Sequence, residues 1–282
     1  MNIQWYPGHM TKAKRAMQED MKLIDLIIEL VDARAPISSR NPDIDQLGQG
    51  KARMILLNKS DLADERANEQ WMSFFQEKGI QTVKMDCRTG NGLKQINGAV
   101  AQACKEKLER DKRRGILNRP VRTMVVGIPN VGKSTFINAF AKKACTKTGN
   151  KPGVTKGNQW IRLNKTLELL DTPGILWPRF EDQEIGLKLA YIGSINDDVL
   201  AKEELAWSLL AFLMKHYPQA VKNRYQAEGE TPEQLLEQIA VSRSCLKKGG
   251  ELDIARAANL FFDDFRGGKL GRITLEVPSD FS

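Results

Sequence analysis

Residues 123–134 read TMVVGIPNVGKS, an apolar strand pattern running into Gly127-Ile-Pro-Asn-Val-Gly132-Lys133-Ser134. The residues that follow, TFINAF, have the pattern of a helix. This is G-x-x-x-x-G-K-[ST] in its required context, with a strand before it and a helix after. The glycines let backbone N–H groups close around phosphates, and the helix N-terminus adds positive potential. Lys133 reaches β and γ oxygens, and the Ser134 hydroxyl suits Mg²⁺. Asn130, Val131, Gly132, Lys133, Ser134 and Thr135 are therefore the expected phosphate-side residues. A merely structural glycine turn would not require the Lys-Ser pair.

Moving upstream, LIDLIIELVDA (23–33) is an apolar run ending in Asp32, the pattern of a buried parallel strand. RMILLNKSD (53–61) and GIQTVKMDC (79–87) repeat the design, each a short apolar strand with a polar loop at its carboxyl end. Helix-like stretches occupy 11–22, 65–78 and 92–113. Strands alternating with helices predict an α/β fold with a mostly parallel sheet. Downstream, NQWIRLNKTLELLDTPG reads as two strands turning near Asn164.

From about residue 183 the pattern becomes helical. Residues 201–218 form an amphipathic helix stopped by Pro218, 231–242 a helix capped by Thr231, and 253–266 a third. The expected domains are 1–180, including an N-terminal segment 1–22, and an all-helical 181–282.

Asp171-Thr-Pro-Gly174 follows the strand LELL (167–170). Asp171 at that strand end can hold Mg²⁺ through water, and the Gly174 amide can sense the γ-phosphate. Thr155, in KPGVT, is the candidate switch hydroxyl on the same metal. Asn58-Lys59-Ser60-Asp61 supplies the base site. The Asp61 carboxylate can accept from guanine N1–H and the N2 amino group, Asn58 can bond N7, and the Lys59 stem can pack along the ring. Adenine lacks those donors, and a site that demands a hydrogen bond rejects the wrong ligand by roughly 10⁴ or more. The three motifs together select GTP.

The order of the motifs is unusual. The base motif (58–61) and a weaker base-supporting loop, Asp86-Cys87-Arg88-Thr89-Gly90, precede the phosphate loop instead of following it. With the opening W-Y-P-G-H-M, the stretch D-A-R-x-P-x-S-S-R-N-P (32–42) and D-T-P-G-I-L-W-P (171–178), the chain closely resembles the bacterial ribosome biogenesis GTPase A family. The resemblance spans nearly all 282 residues and is most specific over 1–180.

It implies a circularly permuted P-loop GTPase fold with a C-terminal RNA-binding helical domain. It also implies a role in late maturation of the large ribosomal subunit, with contacts to its rRNA. The expected activity is hydrolysis of GTP to GDP and phosphate with Mg²⁺, stimulated by the ribosomal particle. Lys133 and Gly174 would act on the transferred phosphoryl group. In GTPases resembling this one, an asparagine at the place of Asn130 can ligate K⁺.

The residue after D-x-x-G, often a water-orienting glutamine, is Ile175. His9 is the candidate replacement, pinned by Trp5 and Tyr6 and turned outward by Pro7-Gly8. The alternative for His9 is a helix cap or an RNA contact. His216, the other histidine, is expected to cap its helix or face solvent.

The composition agrees with a soluble globular protein: 41% hydrophobic and 28% charged residues, with a net charge of +8. Basic residues gather at 12–15, at 105–122 and at Arg243, Lys247, Lys248, Arg256, Arg266, Lys269 and Arg272, as phosphate contacts to RNA require. Four scattered cysteines without a C-x-x-C pair argue against a zinc site or a disulfide framework. No apolar run reaches membrane-spanning length, and Gln4, His9, Lys12 and Lys14 interrupt any signal region. The expectation is a cytoplasmic protein, monomeric off the ribosome. Two other readings stay open: a nucleotide-gated rRNA-binding module that uses hydrolysis only to reset, and a P-loop kinase, which N-K-S-D and the lack of an acceptor motif disfavour.

Overall fold

The computed structural model describes residues 19–116, 119–145, 160–162, 166–170, 183–195 and 201–281. The first part of the chain runs β1 (Leu26–Asp32), α1 (Asp43–Leu47), β2 (Ala52–Asn58), α2 (Glu65–Glu77), β3 (Gln81–Lys84), α3 (Ile96–Ala103), α4 (Lys105–Arg113), β4 (Val121–Val126), α5 (Lys133–Cys145), β5 (Trp160–Arg162) and β6 (Leu167–Leu170). The second part holds α6 (Gln183–Tyr191), α7 (Lys202–His216), α8 (Pro218–Tyr225), α9 (Pro232–Ser242) and α10 (Ile254–Arg266), and a 3₁₀ turn closes the chain at Pro278–Phe281.

The six strands lie in the order β3-β2-β1-β4-β6-β5. All neighbours pair in parallel except β5, which is antiparallel to β6. Every residue of β1 is buried, as a central parallel strand covered on both faces requires. Counted from β4, the order becomes 6-5-4-1-3-2, a doubly wound sheet whose winding reverses between β4 and β1. Ligands of such sheets bind at the carboxyl ends of the strands beside the reversal. The phosphate-loop strand is therefore central in space but fourth in sequence, which is the permuted GTPase fold.

Trp71 and Phe75 of α2 pack on Val31, Ile55 and Leu57, and Asp64 caps the helix by accepting from Ala67 N–H at 2.9 Å. The helix expected over 92–113 is two helices. The chain breaks at buried Cys104 (φ −99°, ψ 14°), after which Lys107 of α4 reaches Asp111 at 2.8 Å and Asp25 at 3.6 Å. The stretch 105–114 is thus of mixed charge, with Lys107 committed internally.

The described residues divide into two compact units. One holds the sheet with its helices and, in addition, the tail 276–281; the other holds α6 to α10 and runs to Leu275. The division expected near residue 180 had put the tail with the helices. Its contacts lie with the sheet unit instead, because Trp71 Nε1–H donates to the Glu276 carbonyl at 3.0 Å and Phe281 lies 5.9 Å from the Trp71 ring.

In the helical unit, α7 ends at His216, and Pro218 opens α8 at a first-turn position. Thr231 caps α9 by accepting from Gln234 N–H at 3.3 Å. Helix α10 buries Ala257, Ala258, Phe261, Phe262 and Phe265 on one face. Asp264 is buried too, accepting from Arg224 at 2.8 Å, Lys269 at 2.9 Å and Tyr225 at 3.1 Å. Arg266 donates to the carbonyls of Ala190 (2.7 Å) and Tyr191 (3.0 Å) at the end of α6, and Arg243 donates to Arg224 O at 3.2 Å. Arg243 and Arg266, grouped by sequence with the RNA-facing charges, therefore serve the unit's own architecture. Lys247, Lys248, Arg256, Lys269 and Arg272 are exposed. His216 is exposed and stacks on Phe212, with ring centroids 4.6 Å apart. Among the described residues no helix is long and apolar enough to cross a membrane.

Candidate nucleotide site

The loop after β4 opens a concavity of about 440 Å³ lined by Ile128, Pro129, Asn130, Gly132, Lys133, Ser134 and Thr135. A volume of this size suits a nucleotide's phosphate chain. Its floor is the first turn of α5, where the positive end of the helix dipole favours an anion. Two glycines make the loop possible. A Cβ on Gly127 would lie 2.8 Å from Leu30 O, and one on Gly132 would lie 2.4 Å from Asn58 Nδ2, at a φ of +96° that side chains rarely adopt. Asn130 takes a left-handed φ of 63°.

The base motif sits at the end of β2 and is tied directly to this loop. The parallel register places Asn58 beside Asp32, at the ends of β2 and β1. Asn58 Nδ2 donates to Val131 O at 2.7 Å, and its Oδ1 accepts from Cys87 N–H at 3.1 Å. The sequence reading made Asn58 a base contact; in this structure its side chain also braces the phosphate loop, the base motif and the 86–90 loop together. Lys59, at φ 58°, donates Nζ to Asn130 O at 2.9 Å. Its stem bridges from the base motif to the phosphate loop. Ser60 Oγ donates to Met85 O at 3.1 Å, and Asn68 Nδ2 to Ser60 O at 3.0 Å, so the motif is held from below.

Asp61 meets Arg88, whose Nη2 donates to its Oδ2 at 2.7 Å. In the 86–90 loop the Asp86 carboxylate accepts from Arg88 N–H and Thr89 Oγ1, both at 2.9 Å. Burial pushes the Asp86 carboxyl up, but these hydrogen bonds and the Arg88 charge outweigh it and hold it below the usual value. Burial, with the Asp86 charge alongside, pushes the Cys87 thiol up to about 12 despite nearby Lys59. It is a neutral packing group whose N–H, not its sulfur, serves the site. Cys104 and Cys245 are likewise free and buried.

One group beneath the site carried no role in the sequence reading. Asp32 is fully buried at the end of β1, where it accepts from Arg34 Nε (2.9 Å) and Nη2 (2.8 Å) and pairs with Lys59 Nζ at 2.9 Å. Burial favours its neutral form, but the Arg34 and Lys59 charges prevail and hold it well below the carboxylate range. The signal lay in D-A-R: an acid ending an otherwise apolar strand interrupted at Glu29, with an arginine two residues on. The loop that follows is pinned at its far side by Arg40, which bonds buried Glu29 at 2.8 Å and Asp45 at 2.7 Å, while Arg53 pairs with Glu29 from β2.

Lys133, Ser134 and Thr135 stand where the sequence placed them, at the start of α5, with Ser134 and Thr135 exposed toward the concavity. His9, Thr155, Asp171, Gly174 and Ile175 lie outside the described residues.

Comparison with known proteins agrees with this geometry. Residues 122–241 match the family model described as a 50S ribosome-binding GTPase. That match begins at β4, so the base motif at 58–61 falls outside it, as a permuted chain requires. The ribosome biogenesis GTPase A of Bacillus cereus is 49% identical over 284 residues, covering 100% of this chain and 96% of that protein. Its counterpart from Thermotoga maritima is 32% identical over 280 residues, covering 99% and 96%. A structure of GNP-bound YlqF from T. maritima superposes with a TM-score of 0.67 at 30% identity, covering 95% of this chain and 98% of that one. Likeness of this degree along the entire length, joined to a phosphate loop wired to N-K-S-D, goes beyond a shared fold: the chain belongs to the ribosome biogenesis GTPase A family and is a GTP hydrolase.

Proposed function

We propose that this GTPase acts in the cytoplasm as an assembly factor in late maturation of the large ribosomal subunit, and that the ribosomal particle stimulates its hydrolysis of GTP. The full-length likeness to proteins named ribosome biogenesis GTPase A carries the reading. In it, Asp61 reads guanine, Lys59 backs the ring, and Asn58, Asp86 and Cys87 shape the base pocket. The N–H groups of Val131, Gly132, Lys133, Ser134 and Thr135 cradle the phosphates, and Lys133 neutralises charge on the transferred phosphoryl.

A hydroxyl exposed at a helix start beside a phosphate cradle is a fitting ligand for a hard cation, so Ser134 would hold Mg²⁺, with Thr155 and Asp171 completing the set. That ion would offset developing charge between the phosphates. Gly174 would sense the γ-phosphate, Asn130 would ligate K⁺, and His9 would orient the attacking water that Ile175 cannot. The exposed basic residues of the helical unit would meet rRNA phosphates, and the free protein would be a monomer.

The test is GTP turnover by the full chain alone, with purified large ribosomal subunits, and with free rRNA. Stimulation by subunits alone is expected, with His9→Ala losing it while GDP affinity holds. No stimulation by subunits would overturn the proposal, and equal stimulation by free rRNA would favour an RNA-gated binding module.

A further inference from the structure

Glu276 follows directly on the helical unit in sequence, yet its side chain is buried in the sheet unit, 2% exposed. Its carboxylate accepts from Ile37 N–H, from Ser38 N–H at 3.0 Å and from Ser38 Oγ. Ser38 and Ser39 are themselves fully buried. Ser39 Oγ accepts from Asp32 N–H at 3.0 Å and donates to Ala35 O at 2.6 Å. Asp32 then holds Lys59 at 2.9 Å, and Lys59 holds Asn130 O of the phosphate loop at 2.9 Å. A run of hydrogen bonds, linked through the backbone between Ser38 and Ser39 and within Asp32, thus joins Glu276 to the nucleotide site.

We propose that Glu276 is a positioning residue for guanine-nucleotide binding, acting through the 37–39 loop to hold Asp32 and thereby the Lys59 ammonium in its binding geometry. Three donors converging on one carboxylate select a single loop conformation. Trp71 docks the tail through its hydrogen bond to the Glu276 carbonyl and its ring contact with Phe281, and the carboxylate sets the shape of what lies beneath. The nucleotide site of this permuted chain is therefore completed by a residue that the chain reaches only after building the helical unit.

The proposal rests on the guanine-nucleotide reading of the site. It is tested by GDP binding to the full chain in a double-mutant cycle of Glu276→Ala with Lys59→Ala. Glu276→Ala is expected to weaken GDP about fivefold in the native background, the scale of one ordinary net hydrogen bond. In the Lys59→Ala background it should weaken GDP no further. Its effect on Tm, a readout of plain structural support, should be the same in both backgrounds.

Unchanged affinity, or the same loss in both backgrounds, would overturn the proposal. Glu276→Gln, which keeps the shape and one acceptor, should fall between and serves if the alanine variant does not fold. Hydrogen exchange without nucleotide is the second measurement: Glu276→Ala should speed exchange at 32 and 37–39, and unchanged protection there would also overturn the idea. Failure of the unaltered chain to bind GDP would instead remove the ligand reading, while the exchange result would still judge the coupling.

Discussion

Replacing Asp32 with alanine is the most searching perturbation of the nucleotide site. The carboxylate is fully buried, and Arg34, itself 1% exposed, bonds it through two nitrogens at 2.9 and 2.8 Å. Removing one partner of a buried pair strands the other's charge, at a cost of about 3–5 kcal/mol. That is a large share of the roughly 5–15 kcal/mol that holds a domain folded. Lys59 loses its 2.9 Å partner at the same time, so GDP affinity should fall along with stability.

The double variant Asp32→Ala/Arg34→Met removes both charges and should recover more than about 1 kcal/mol relative to Asp32→Ala alone. It should not recover GDP affinity, because the anchor for Lys59 is still missing. Urea unfolding monitored by tryptophan fluorescence, with the two units fitted as separate transitions, gives the stabilities, and fluorescent-GDP titration gives the affinities. A single-variant loss below about 1 kcal/mol, or a double variant no more stable than the single one, would refute the reasoning.

Gly132→Ala should abolish tight nucleotide binding, by about tenfold or more, since its Cβ would press within 2.4 Å of Asn58 Nδ2 at a φ of +96°; near-native GDP affinity would be the contrary result. Arg88→Ala should leave stability nearly untouched and strengthen GDP by up to about fivefold, because the exposed Arg88 side chain competes with guanine for Asp61; weaker binding would contradict this. Asp32 also sets an acid response. Its folded pKa is depressed below the ordinary 3.8, so the unfolded chain binds the extra proton first. The stability it contributes is present above that value and is lost as pH falls through it towards the folded pKa, and Asp32→Asn should flatten the stability profile there. Identical acid profiles for the two proteins would oppose the assignment.

The sheet and the phosphate loop were legible because their signals are local. An apolar run closing on a glycine-lined turn with Lys-Ser determines strand, loop and helix within a dozen residues, and N-K-S-D does the same at the end of β2. The strands are central and buried on both faces, so their hydrophobicity needs no partner to be recognised. Local pattern fared less well where geometry over several turns mattered. The 92–113 stretch has helical composition throughout, yet Cys104 breaks it, and nothing in the periodicity marks that residue. Likewise, counting positive charges grouped Arg243 and Arg266 with exposed lysines, although both are engaged by carbonyls within the helical unit.

By itself the sequence determined the fold class, the permuted order of its motifs and the residue types of a guanine-nucleotide signature, since each of these is written in short contiguous stretches. Tertiary structure alone decided that Asn58 braces three loops, that Asp32 anchors Lys59, and that Glu276 returns from the far end of the chain to grip Ser38. Those roles depend on hydrogen bonds between residues tens to hundreds of positions apart. Such bonds exist only once the sheet has set the register of its strands and burial has stripped water from the polar groups, leaving each to find its partner within the protein.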